Sequence, residues 1–292
     1  MPTNEQRRAS AKRKLQRQLE RRAEQARRRR ILTLAGAGAA LALVLAAAGT
    51  VLFLNHQHQK KPATASPSTS STPGSTAGVP ALPAFKASAG IGSKCEYPLS
   101  PEPASKPVKP PKTQNGKVPT DPAQVSISMV TDQGNIGLLL ANNKSPCTVN
   151  SFVSLTTQKF FDNTKCHRLT TSALLGVLQC GDPTGDGTGG PGYSFANEYP
   201  TDQYKPEDPA AHQPVLYPRG TLAMANSGPN TNGSQFFLVY KDSQLPPEYT
   251  VFGTIQQDGL ATLDKIAKGG VAGGGDDGAP ATPVTIKSVG LD

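Results

Sequence analysis

The sequence predicts a mainly β domain, a closed barrel or sandwich with two helices, placed behind a membrane-length apolar segment and a disordered linker. Three observations carry this. From about residue 121 onward, short stretches of alternating apolar and polar residues recur between turn signals, as in an antiparallel sheet. Only TVNSFVSLTTQKFF and GLATLDKIAKG read as helices in this region. Ile31 to Leu54 is an uncharged run of 24 residues directly behind a basic block.

Residues 1–30 form that block, with twelve Lys and Arg against Glu5, Glu20 and Glu24. The whole chain carries a net charge of +9, so this segment holds the entire excess. Residues 31–292 balance 18 basic against 18 acidic groups, which argues against a nucleic-acid partner for the main domain. The block reads as a solvated cytoplasmic helix facing anionic headgroups rather than as an RNA-binding arm. Residues 31–54 are long enough to cross a hydrocarbon core of ~30 Å at ~1.5 Å per residue. A cleaved secretory signal has a shorter apolar region of ~7–15 residues, so an uncleaved transmembrane signal anchor is expected. Lys and Arg stay on the cytoplasmic side, which places residues 55–292 outside a cell membrane crossed once.

Residues 55–120 are rich in Pro, Ser, Thr, Ala, Gly and Lys without apolar periodicity, and read as a semi-extended linker. Cys95, Cys147, Cys166 and Cys180 all follow the apolar segment. An even number in an oxidising space implies two disulfides, one of which would pin the Cys95 stretch to the domain. No CxxC pair occurs, which argues against a zinc site.

The folded domain is expected over residues 121–292. QVSISMVT (124–131) and NIGLLLAN (135–142) form a hairpin through the turn DQG. A helix follows over 148–161, with Thr148 as its N-cap. The segment CHRLTTSALLGVLQCGD (166–182) supplies two strands, and a glycine-rich loop comes next. TLAMAN (221–226), SQFFLVY (234–240) and TVFGTI (250–255) are strands; the second helix and the strand TPVTIKSVGL close the chain.

Within 166–182, Arg168 and Gln179 interrupt a mostly apolar or small stretch. An unpaired buried guanidinium costs several kcal/mol, so Arg168 must reach for a partner. His167 has the opposite strand parity and reads as a hydrogen-bonded core residue. Gly185 to Gly190 matches GxGxxG formally, but Pro191-Gly192 follows instead of a helix, so a tight loop is expected rather than a phosphate cradle. Calcium held by Asp182 and Asp186 is a weaker reading. NSGPNTNGSQFF (226–237) would present amides and free backbone groups beside an aromatic wall, a platform for an extended peptide.

CHRL, LQCGD, GTGGPGY and GTLAMANSGPNTNGSQFFLVY followed by YTVFG resemble the cyclophilins, the peptidyl-prolyl cis-trans isomerases, from about Gln124 to the C-terminus. With the N-terminal anchor, the sequence looks most like the membrane-anchored forms of high-GC Gram-positive bacteria. The resemblance implies a closed eight-stranded antiparallel barrel capped by two helices, working without a cofactor or metal on X–Pro bonds of exported or cell-envelope proteins. It places the catalytic arginine at Arg168 and its glutamine companion at Gln179. Ala225, Asn226 and Gln235 would hold the substrate backbone; Phe237, Leu245, Val177 and Tyr249 would line the proline pocket. Tyr249 stands where the family has histidine, and Val177 where it has methionine. Three extra residues separate the arginine from the glutamine, leaving the family's pocket phenylalanine nearest to Leu174, Leu175 or Gly176. Gln244 replaces the tryptophan that contacts cyclosporin, so cyclosporin should bind weakly. A proline-peptide binding module or chaperone with little isomerase activity is the alternative. If Arg168 and Gln179 face one groove from adjacent strands, Cys166 shares the face of Arg168 and Cys180 takes the other. Pairing with Cys95 or Cys147 is then expected ahead of a Cys166–Cys180 bridge.

Overall fold

In the computed structural model the described residues are 78–205 and 207–292. The basic segment, the apolar run and the linker up to residue 77 lie outside them. Among the described residues no helix is long and apolar enough to cross a membrane.

The hairpin forms as its alternation requires. Strand β1 (Val125–Thr131) points Ile127 and Met129 inward, and β2 (Gly134–Leu140) does the same with Ile136, Leu138 and Leu140. The outward Ser126 and Ser128 hydroxyls both donate to the carboxylate of Asp292, fastening the last residue to the sheet. Helix α1 (Pro146–Thr157) turns Val149, Phe152 and Leu155 into the core. There Phe152 stacks on Phe161 at 4.9 Å and meets Phe236 edge-on at 5.3 Å. Thr148 is not the N-cap. Ser145 holds that position without capping the helix through its side chain, and the first turn is satisfied from afar by Glu198, whose carboxylate accepts from the Cys147 and Thr148 amides. The helix stops at Thr157, short of the expected 161, and Lys159 then takes a left-handed φ of 57°.

The chain continues through β3 (Thr164–Lys165), β4 (Arg168–Thr170), β5 (Gly176–Cys180), β6 (Val215–Tyr217), β7 (Thr221–Met224), β8 (Phe236–Lys241), β9 (Ser243–Leu245) and β10 (Val251–Ile255). Helix α2 (Gln257–Gly269) buries Leu263 and Ile266 and ends at Gly270, which has a positive φ of 75°. Strands β11 (Asp277–Gly278) and β12 (Thr285–Leu291) complete the fold.

The closed eight-stranded barrel expected from the resemblance is instead a curled, open sheet. Ten strands run in the order β11-β4-β5-β8-β7-β10-β2-β1-β12-β3, and every neighbouring pair is antiparallel. Among the described residues no ladder joins its ends. The end strand β3 has only two residues, and the chain leaves it through Cys166 and His167 to begin β4 near the opposite end. The seam is therefore spanned by the chain itself, while the Cys166 amide, donating to the Val284 carbonyl, continues the pairing of β3 with β12. A separate pair, β6 with β9, forms a small second sheet, which Ala81 extends by a parallel bridge to Leu216.

Residues 78–120 were expected to belong to the linker, yet they are packed along the domain. Tyr97 sits edge-on to Tyr193 and Phe195 and donates to the Cys147 carbonyl. Lys106 donates to the carbonyls of Phe160 and Asp162, and Val118 is buried. The Ser100, Ser105 and Ser194 amides donate to the carbonyls of Gly192, Gly190 and Pro98 in turn. A Cβ on Gly192 would come within 2.7 Å of the Ala104 nitrogen, so this contact needs glycine. Main-chain bonds of this kind leave no apolar periodicity to read.

The disulfides are Cys95–Cys147 and Cys166–Cys180. The first pins residues 78–120, the belt, to α1: a bridge from the Cys95 stretch to the domain was expected, but to Cys166 or Cys180 rather than to Cys147. The second overturns the parity argument, which assumed one continuous strand from Cys166 to Arg168. Strand β4 starts only at Arg168, so Cys166 lies before the alternation and turns into the core beside Cys180.

Candidate active site

Three strands bring the site together in one row. Arg168 on β4 pairs with Gln179 on β5, and Gln179 pairs with Phe237 on β8. Cross-strand partners point to the same face, so guanidinium, amide and ring share one side of the sheet. Gly181 ends β5 with φ +91°, and a Cβ there would lie 2.2 Å from the Ser234 carbonyl. Only glycine lets the chain turn off so close to β8.

A polar chain runs along this face. Arg168 Nη1 donates to Gln179 Oε1 at 3.2 Å, and Gln179 Nε2 donates to Gln235 Oε1 at 2.9 Å. Gln235 Nε2 donates in turn to the Gly187 and Gly189 carbonyls at 2.9 and 3.0 Å. At the other end, Asp277 accepts from Arg168 Nε and Nη2, both at 2.7 Å. This hydrogen-bonded pairing keeps Arg168 protonated and holds the Asp277 carboxyl below the usual carboxylate range. The sequence reading missed Asp277; its only signal was two aspartates in a glycine-rich stretch 109 residues away.

Beside this chain lies an apolar cluster. Phe237 and Val177 are buried in one cluster with Ala223 and Val239, and Ala225, Leu245 and Tyr249 pack against it. Tyr249 meets Phe237 edge-on at 5.7 Å. Tyr217 donates its hydroxyl to the carbonyls of Pro246 and Tyr249, which fixes the loop that follows Leu245. Of the three candidates for the missing pocket phenylalanine, Leu175 is the one that packs against the cluster. Leu174 is 45% exposed, and a Cβ on Gly176 would meet Lys241 at 2.8 Å. The extra residues fold onto the neighbouring wall, where the Leu174 carbonyl accepts from the Gln244 amide.

Asn226 anchors its loop through its side chain: Nδ2 donates to the Glu248 carbonyl and Oδ1 accepts from the Gly228 amide. Among the described residues its main chain makes no backbone hydrogen bond, whereas the Ala225 amide donates to the Gln235 carbonyl. Thus Asn226 offers free peptide groups at the groove, and Ala225 has already committed its N–H to the sheet.

His167 is half-buried against the Gly187 loop, and its buried Nδ1 has no partner, so it is not a hydrogen-bonded core residue. Burial lowers its pKa, against the pull of Asp182. Asp182 itself is consumed within the loop, accepting from the amides of Thr184, Asp186 and Gly187. The GxGxxG stretch is accordingly a tight loop closed around an aspartate, which also supports Gln235.

The family model for "Cyclophilin type peptidyl-prolyl cis-trans isomerase/CLD" matches residues 126–291. The chain belongs to the cyclophilin-type peptidyl-prolyl cis-trans isomerases. It is similar to a "Probable peptidyl-prolyl cis-trans isomerase B" of Mycobacterium leprae, with 72% identity over 297 residues that cover 100% of both chains. A protein of the same description from Mycobacterium tuberculosis strain H37Rv is also 72% identical, over 100% of this chain and 95% of its own. A crystal structure of a Cryptosporidium parvum cyclophilin is 29% identical with a TM-score of 0.45, covering 58% of this chain and 98% of that one. A cyclophilin-type isomerase accelerates rotation about the bond preceding proline, and the groove described above is the candidate place for it.

Proposed function

We propose that this groove turns X–Pro bonds of exported or cell-envelope polypeptides, on a domain held outside the membrane by residues 31–54. The observation that carries the reading is a fixed guanidinium beside an apolar cluster. Amide resonance sets a rotation barrier of ~18–20 kcal/mol. As the bond twists, resonance is lost and a lone pair localises on the prolyl nitrogen. A guanidinium aimed at that nitrogen, or at the prolyl carbonyl, favours the twisted form over the planar one. Phe237, Val177, Leu175, Leu245 and Tyr249 grip the ring, and the free main chain of Asn226 holds the neighbouring peptide, so one side rotates against the other. No bond is made or broken. The two disulfides support an oxidising compartment, and the basic segment before residue 31 supports a cytoplasmic N-terminus.

The test compares turnover with affinity on one X–Pro peptide, using the full-length chain in mild detergent. Catalysis that saturates with peptide and weakens in Phe237→Ala is expected. Peptide binding without rate acceleration would instead favour the binding-module or chaperone reading. Cyclosporin should bind weakly, because the chain contains no tryptophan and Gln244 stands at the position the family gives to one. A calorimetric titration giving nanomolar affinity would refute this.

A further inference from the structure

We infer that Asp277 is a positioning residue for isomerisation, holding the Arg168 guanidinium in its working orientation from the end strand of the sheet. This rests on the reading of Arg168 given under Proposed function. Strand β11 pairs with β4, setting Asp277 opposite Thr170 and Gly278 opposite Leu169. The Thr171 amide also donates to the Asp276 carbonyl. The carboxylate is thereby held beside the strand that carries Arg168, opposite a position two residues along from it. It engages the guanidinium with both oxygens, at 2.7 Å each.

The pair is too exposed to be explained by stability. The two side chains keep 39% and 50% of their accessible surface, and ion pairs in such surroundings contribute little. What a two-point clamp supplies is orientation. An arginine side chain carries many rotamers, whose freedom an unclamped group would lose on reaching the twisted bond. Asp277 removes that freedom before substrate arrives, and Gln179 fixes the remaining side of the fork. The clamp does not consume the group. A guanidinium has about five N–H donors, of which Asp277 takes two and Gln179 one, leaving two for substrate. Partial neutralisation by the carboxylate works against catalysis, but a charge turned away from the prolyl nitrogen acts on it less than one aimed at it.

The experiment is a double-mutant cycle on the full-length chain, reading kcat/KM on an X–Pro peptide, peptide affinity and Tm. Asp277→Asn is expected to lower kcat/KM about tenfold, with peptide affinity and Tm nearly unchanged, because misorientation costs rate rather than binding. Asp277→Glu, which keeps the charge, recovers most of the loss. In the Arg168→Ala background Asp277→Asn has no further effect, a result that a merely structural role would not give. Parental or faster turnover in Asp277→Asn, or an equal loss in both backgrounds, overturns the inference. If Arg168→Ala abolishes activity while Asp277→Asn is fully active, only this inference fails. Parental activity in Arg168→Ala overturns the site reading and the inference together.

Discussion

Replacing Arg168 with alanine is expected to lower kcat/KM on an X–Pro peptide by about a hundredfold or more, with the fold intact. The size follows from what the guanidinium supplies. A hydrogen bond to a charged group contributes about 1.5–3 kcal/mol, and about 1.4 kcal/mol is a factor of ten in rate. One such bond made only in the twisted state therefore accounts for roughly ten- to hundredfold, and a fork that can offer two donors accounts for more. Stability should hold for a separate reason. Arg168 sits at the groove rather than in the core, with 39% of its side chain exposed, and its loss leaves Asp277 half-exposed and free to be hydrated. Circular dichroism and Tm close to the parent, with refolding of a proline-limited client no longer accelerated, is the expected pair of results. Parental acceleration would sink the mechanism. Arg168→Lys should recover little, because a single ammonium cannot serve Asp277, Gln179 and substrate from one fixed plane.

The parts of the molecule that were legible in the sequence share a physical basis. Ile127 and Met129, facing Ile136, Leu138 and Leu140, alternate because one face of the hairpin meets the core, and alternation survives in the sequence. Arg168 and Gln179 stood out because polar groups in an apolar strand need a reason, and the register joins them. Asp277 carried no such mark. It is exposed, lies among glycines, and reaches Arg168 only through the pairing of two short strands distant in sequence. That the sheet stays open was equally hidden, since it turns on a two-residue strand at its end. His167 was misjudged because parity was carried past the start of β4, the same error that misdirected the disulfide.

Residues 78–120 give the plainest case, because their composition is that of a free linker while their main chain is bonded to the domain. Their importance can be measured through Cys95–Cys147. This bridge closes a loop with a sequence separation of 52. The chain-entropy relation gives about 4 kcal/mol for a loop of that size, which for a domain of this length is a Tm fall of roughly 8–16 °C. The expected result for Cys95→Ser with Cys147→Ser is a loss in that range, read by thermal unfolding without reductant. Activity at 25 °C should stay near the parent, since neither cysteine touches the groove. Removing residues 1–120 outright should cost more. Tyr193 and Phe195 would lose the Tyr97 ring, and the Phe160 and Asp162 carbonyls would lose the Lys106 ammonium. A fragment of residues 121–292 as stable as one of residues 78–292 would show the belt to be energetically idle. The Cys166–Cys180 bridge should behave differently. Its separation of 14 corresponds to about 3 kcal/mol, but Cys180 adjoins Gln179 and Cys166 lies two residues before Arg168. Breaking it therefore loosens the strands that carry both side chains, and catalysis should fall along with stability, whereas the outer bridge affects stability alone.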